Sequence, residues 1–225
     1  MRQLPLDLGH RQALGMADFM VAASNAAAVA WLDRWPDWPA PCVVLTGPAG
    51  SGKTHLAQVF RARSGALPLD APTLLSGHLP SLLGGAPAVI LEEAAAAPER
   101  PFLHLYNLVA ERGLRLLATA RLPPSRWSIG LADLRSRLLA APLAELAAPD
   151  DALLAMVLVK LFADRQLRIG EEVIAYLLPR LERSFAAAQS IVAALDRRAL
   201  AAGRPVTVPL VREWLEEERG GGPLL

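Results

Sequence analysis

Four strand candidates stand out in the first 150 residues: the apolar runs 42–46 and 88–91, and the segments 114–119 and 142–146, which carry Arg115 and Glu145. Runs of four to six apolar residues bounded by Gly, Pro and charge read as strands buried on both faces. Leu67-Pro68-Leu69 is a shorter strand candidate. Helical spacing appears between them. Residues 53–63 and 101–112 place apolar side chains three and four apart, as at Phe102, Leu105, Leu108 and Val109. Ser24-Asn25 can cap a helix to Arg34, halted by Pro36, Pro39 and Pro41. Beyond Pro149 only the helical period remains, over 150–164, 171–181, 184–202 and 208–218, with Gly170 and Gly203 at turns. The pattern predicts an α/β unit with a parallel sheet flanked by helices, followed near residue 148 by an all-helical unit. Residues 1–15, with Leu4, Leu6 and Leu8 alternating between Pro and Gly, read as an extended arm, and 220–225 as a glycine-rich tail.

Composition changes this picture little. The 225 residues are 53% hydrophobic and 20% charged, which is globular, and the net charge of +1 gives no overall footprint for nucleic acid. The lone cysteine, Cys42, sits in an apolar run, where packing is its expected role, and a cytoplasmic setting is expected. No signal peptide or membrane-spanning run is expected; the apolar stretch 153–161 is short and carries Lys160. His10, His55, His78 and His104 form no metal-ligand spacing.

The chemistry begins at the end of the first strand. Gly47-Pro48-Ala49-Gly50-Ser51-Gly52-Lys53-Thr54 is a complete P-loop between a strand and a helix. Its glycines let backbone N–H groups close around phosphate oxygens, Lys53 reaches the outer phosphates, and Thr54 offers a hydroxyl to Mg²⁺. The expected ligand is ADP or ATP with Mg²⁺. P-loop hydrolases also need carboxylates at the end of a neighbouring strand. Glu92 and Glu93 follow Val89-Ile90-Leu91 there, Glu92 as the metal carboxylate and Glu93 as the one that orients water. Glu92 is one methylene longer than the usual Asp.

With cradle, acidic strand end and helical C-terminal region in one chain, the sequence resembles the AAA+ ATPases of the DnaA branch, and within it the regulatory inactivators of the initiator DnaA. The resemblance implies a nucleotide-binding domain over 16–148, a helical lid over 149–219, and a clamp-binding arm over 1–15. Asp18-Phe19-Met20-Val21 with Ser24-Asn25 resembles the family's lead-in segment, so Phe19 and Val21 are expected beside the adenine. Leu134-Arg135-Ser136-Arg137-Leu138 resembles its arginine-finger box, which gives Arg137 the role of a finger supplied in trans, with Arg135 as the neighbouring alternative and pairing with Asp133 as the plain one. Thr119 matches the polar residue that senses the γ-phosphate, with Arg121 close behind. Gln3-Leu4-Pro5-Leu6-Asp7-Leu8 resembles the peptide by which replication proteins dock on the DNA polymerase III β sliding clamp, with Gln3, Leu4, Leu6 and Leu8 as contacts. One position departs from the pattern: Ala186 stands where the family's lid places an arginine, with Arg183 almost a turn earlier.

These features imply a nucleotide-bound adaptor that docks on the clamp and stimulates hydrolysis of DnaA-bound ATP through Arg137, preventing re-initiation. No helix-turn-helix follows the lid, so no sequence-specific DNA binding is expected, nor any membrane partner. The alternative is a self-sufficient ATPase acting as a DnaA-like remodeler or helicase loader. A P-loop small-molecule kinase fits poorly, for want of an acceptor-binding cluster. Self-association, ADP against ATP as working ligand, and turnover by the chain itself stay open.

Overall fold

The computed structural model describes residues 20–76 and 78–220. The arm over 1–15, with Gln3, Leu4, Leu6 and Leu8, lies outside the described residues, as does Phe19. Five strands form one parallel sheet: β1 (Cys42–Thr46), β2 (Leu67–Leu69), β3 (Ala88–Leu91), β4 (Arg115–Ala120) and β5 (Leu143–Glu145), in the order β2-β3-β4-β1-β5. β1 and β3 are buried at every position, which is why they read as continuous apolar runs.

The pleat divides those runs between two layers. Val43, Leu45, Ile90 and Leu117 face α1 (Ala26–Asp33) and α2 (Lys53–Ser64). Phe60 of α2 is fully buried, with Trp38 stacked on it at 5.4 Å and Trp35 edge-on at 6.0 Å. A buried side chain of that size contributes roughly 1.5–3 kcal/mol through removal from water. Cys42, Val44, Val89, Leu91, Leu116 and Ala118 face the other way, onto α3 (Ala71–Ser76), α4 (Leu79–Leu83), α5 (Glu99–Glu111) and α6 (Ala132–Ala140). Burial pushes the Cys42 thiol up to about 12.

The remaining helices, α7 (Asp151–Asp164), α8 (Glu171–Leu177), α9 (Phe185–Ala202) and α10 (Val208–Gly220), close around a third core that includes Leu154, Leu158, Phe162, Val192, Leu195 and Val211. Two side chains cap them: Asp150 accepts from Leu153 N at 2.8 Å, and Ser184 accepts from Ala187 N at 3.1 Å. The expected helix 171–181 is shorter than its period suggests. α8 stops at Leu177, and Pro179, which has no N–H, turns residues 178–180 into a 3₁₀ turn. Among the described residues no helix is long and apolar enough to cross a membrane.

Candidate functional site

The glycine loop leaves the buried end of β1 and enters α2 through two residues in the left-handed region, Gly50 at φ 70° and Gly52 at φ 93°. A side chain is strained at such φ values. Gly47 is required for a different reason. A Cβ there would lie 2.6 Å from the Leu146 carbonyl oxygen and 2.7 Å from Ser51 Oγ. Lys53 is buried, and its Nζ donates to the carbonyls of Gly47 and Pro48, both at 2.8 Å. An ammonium has three donors, so two fix Lys53 to its own loop and one remains. Burial lowers the Lys53 pKa from the usual lysine range; the charge of Glu93 opposes that shift and Arg121 adds to it. Ser51 Oγ is buried without a hydrogen-bond partner. A loop kept clear of Cβ atoms, an ammonium already placed and an unpaired hydroxyl together suit an anion at the N-terminus of a twelve-residue helix.

The acidic strand end lies beside this loop. Thr54 Oγ1 is 3.5 Å from Glu92 Oε2, so the two side chains expected at a metal do converge. Glu93 adopts φ 49°, an uncommon conformation for a residue with a side chain, and its N–H donates to Thr119 Oγ1 at 3.3 Å. Thr119 is the buried penultimate residue of β4. Its hydroxyl thus ties the ends of two neighbouring strands together.

The lid is seated directly on the glycine loop. Phe185 N donates to the Gly50 carbonyl at 3.0 Å. A Cβ on Gly50 would meet Ser184 Cβ at 2.4 Å, and one on Gly52 would meet Phe185 Cε2 at 2.9 Å. Beside this seat lies a cavity of ≈ 280 Å³, walled on one side by Met20, Asn25 and Leu56 and on the lid side by Val157, Lys160 and Phe185. Val21, expected in this wall, is 40% exposed and is not part of the lining; its neighbour Met20 is. Asn25 supplies the physical reason. Its Oδ1 accepts from Ala22 N at 2.8 Å and its Nδ2 donates to the Met20 carbonyl at 2.9 Å, so the side chain gathers the lead-in segment and leaves α1 without a side-chain cap.

Ala186 is exposed in the first turn of α9, and Arg183 reaches Asp151 on α7 at 3.1 Å. Arg137 lies elsewhere, on α6. Its Nε donates to Asp133 Oδ1 at 2.7 Å, and its guanidinium stands 5.4 Å from the centre of the Tyr106 ring. That hydrogen bond to Asp133 raises the Arg137 pKa further. The helix has its own anchor: Glu99, at the start of α5, accepts from Gly130 N at 2.8 Å and Leu131 N at 2.7 Å. Those two N–H groups hold the Glu99 carboxyl below the usual range.

Sequence reasoning missed Ser184 and Phe185 as partners of the loop, because no local signal links residues more than a hundred positions apart. Asn25 was visible as a cap but not as a clasp. Glu99 carried the signal of an acid in the first turn of a helix, though the N–H groups it serves belong to another segment.

Comparison with known proteins follows the same division. The fold matches domain III of the Thermotoga maritima replication initiation protein DnaA, with TM-score 0.73 and 16% identity over 88% of this chain and 94% of that one. AMPPCP-bound DnaA from Aquifex aeolicus matches with TM-score 0.71 and 15% identity over 90% and 68%. A DNA replication initiation factor matches with TM-score 0.69 and 16% identity over 80% of this chain, which spans 63% of that longer one. The parallel sheet with its P-loop and helical lid is therefore an AAA+ fold. Residues 151–215 match the family model of the Hda lid domain. The helical region is thus similar to the Hda lid domain, and the chain as a whole is similar in fold to DnaA.

Proposed function

We propose that this protein is a nucleotide-bound regulator of DnaA, which docks on the β sliding clamp through residues 3–8 and stimulates hydrolysis of DnaA-bound ATP by supplying Arg137. The observation that carries the reading is an Hda-type lid seated on a complete P-loop while the arginine stands outside, on a helix of the opposite layer. In this reading the nucleotide, ADP or ATP, lies along the loop 47–54, with its phosphates on backbone N–H groups and Lys53 and its base toward the cavity beside Met20 and Asn25. Thr54 and Glu92, whose side chains converge, would hold Mg²⁺. The AMPPCP-bound DnaA of similar fold supports a nucleotide here. With Ala186 exposed and Arg183 held by Asp151, neither brings an arginine to the phosphates. The protein then keeps its ligand and turns it over slowly. Arg137, with its charge spread over a planar fork, suits the oxygens of a phosphoryl group in transfer.

The test is hydrolysis of ATP held by DnaA, measured with and without this protein and DNA-loaded clamp. Stimulation that needs both additions, and that disappears when residues 3–8 are removed, is expected. No stimulation in the complete mixture overturns the reading. A second reading, a self-sufficient remodeler or helicase loader, draws on the convergence of Thr54, Glu92, Glu93 and Thr119. Turnover by the isolated chain that Glu93→Gln abolishes would favour it.

A further inference from the structure

We infer that Asp133 and Tyr106 are positioning residues that hold Arg137 ready, with the outer edge of its guanidinium left open for a phosphoryl group. The inference rests on the role proposed above for Arg137 and adds how that side chain is aimed. A guanidinium carries five N–H donors, one on Nε and four on the two terminal nitrogens. Asp133 takes the Nε donor at 2.7 Å; among the described residues, no hydrogen bond is made by Nη1 or Nη2. Tyr106, itself buried, supports the face of the group at 5.4 Å. The side chain is thus fixed along one edge and one face, while the edge that pairs with two oxygens stays open. Arg137 is 37% exposed, enough for that edge to meet another molecule.

The rest of the helix supports the same reading. Glu99 ties Gly130 and Leu131, just ahead of α6, to the start of α5, and the buried Leu134 and Leu138 anchor the helix on the core that includes Tyr106. Arg135, two residues away, is exposed and has no hydrogen bond or ion pair from its side chain among the described residues. An Asp133 that quenched the arginine would be expected to cover the terminal nitrogens. Here it covers only Nε.

The experiment uses the full chain with DnaA-bound ATP and DNA-loaded clamp. Asp133→Ala is expected to lower the maximal stimulated rate about tenfold, within the roughly 100-fold loss that a misplacement of about 1 Å can cause. The concentration for half-maximal stimulation and the melting temperature stay unchanged. Asp133→Glu, which can still reach Nε at the same helical spacing, restores most of the rate. A faster Asp133→Ala protein, or one equal to wild type, overturns the inference. Arg137→Ala, assayed alongside, separates the two levels: if it stimulates normally, the role of the arginine fails, whatever Asp133 does. A readout free of DnaA is the solvent exchange of the Arg137 Nε proton by NMR. It should be slowed in the wild type and reach the rate of a free arginine in Asp133→Ala. Equal exchange in both proteins contradicts the positioning itself.

Discussion

The glycine loop and the arginine helix solve opposite problems. At the loop, the ammonium and one hydroxyl are turned inward: Lys53 is 9% exposed and Ser51 4%. The left-handed glycines are pressed beneath Ser184 and Phe185. At α6 the charge is turned outward, and among the described residues Arg137 is held by its neighbour Asp133 and the Tyr106 ring. The loop is complete within one chain and fit to retain a ligand. Under the proposed function such a protein keeps one nucleotide and acts on another, so the two regions should respond separately to substitution.

The largest effect is expected at the loop. Lys53→Ala should weaken nucleotide binding roughly 100-fold by calorimetry, since a charge-assisted hydrogen bond is lost. Gly50→Ala comes next. It forces a side chain into φ 70° and drives a Cβ against Ser184, so affinity should fall roughly tenfold through unseating of the lid. Normal binding by Gly50→Ala would break the claim that the lid's seat matters. Ala186→Arg sharpens the comparison in the other direction. An arginine in the first turn of α9 should raise affinity by about threefold to tenfold and increase the chain's own turnover. Arg183→Ala should change affinity less than about twofold, because the side chain is engaged in an exposed pair with Asp151.

The smallest effect concerns the core beneath both regions. With the Cys42 thiol raised from 9.0 to about 12, the folded state disfavours thiolate. Its contribution to stability is full below pH 9 and is lost as pH climbs toward 12. Alkylation at pH 8 should therefore wait for unfolding. Rapid labelling of the native protein would contradict that burial.

The sheet could be read from the sequence because strands buried on both faces leave unbroken apolar runs, as at 42–46 and 88–91. α3 and α4 could not. They are six and five residues long, each with a proline at its second position, Pro72 and Pro80, and no room for a helical period. At the site, local chemistry was legible and distant contact was not. The glycines of the loop announce close backbone approach, but not that Phe185 makes it. Ser24-Asn25 announces a helix start, but the Asn25 side chain turns back to Met20 and Ala22. Arg183 lies near Ala186 in sequence, but its pairing with Asp151, brought beside it by packing of α7, is not legible there.

Separability of the two regions is tested most directly by one protein, Arg137→Ala, in paired assays of nucleotide affinity and of hydrolysis of DnaA-bound ATP on loaded clamp. The account predicts affinity equal to wild type, within about twofold, since no Arg137 contact joins it to the loop, with stimulation abolished. Affinity that falls together with stimulation, or stimulation that survives, would contradict it.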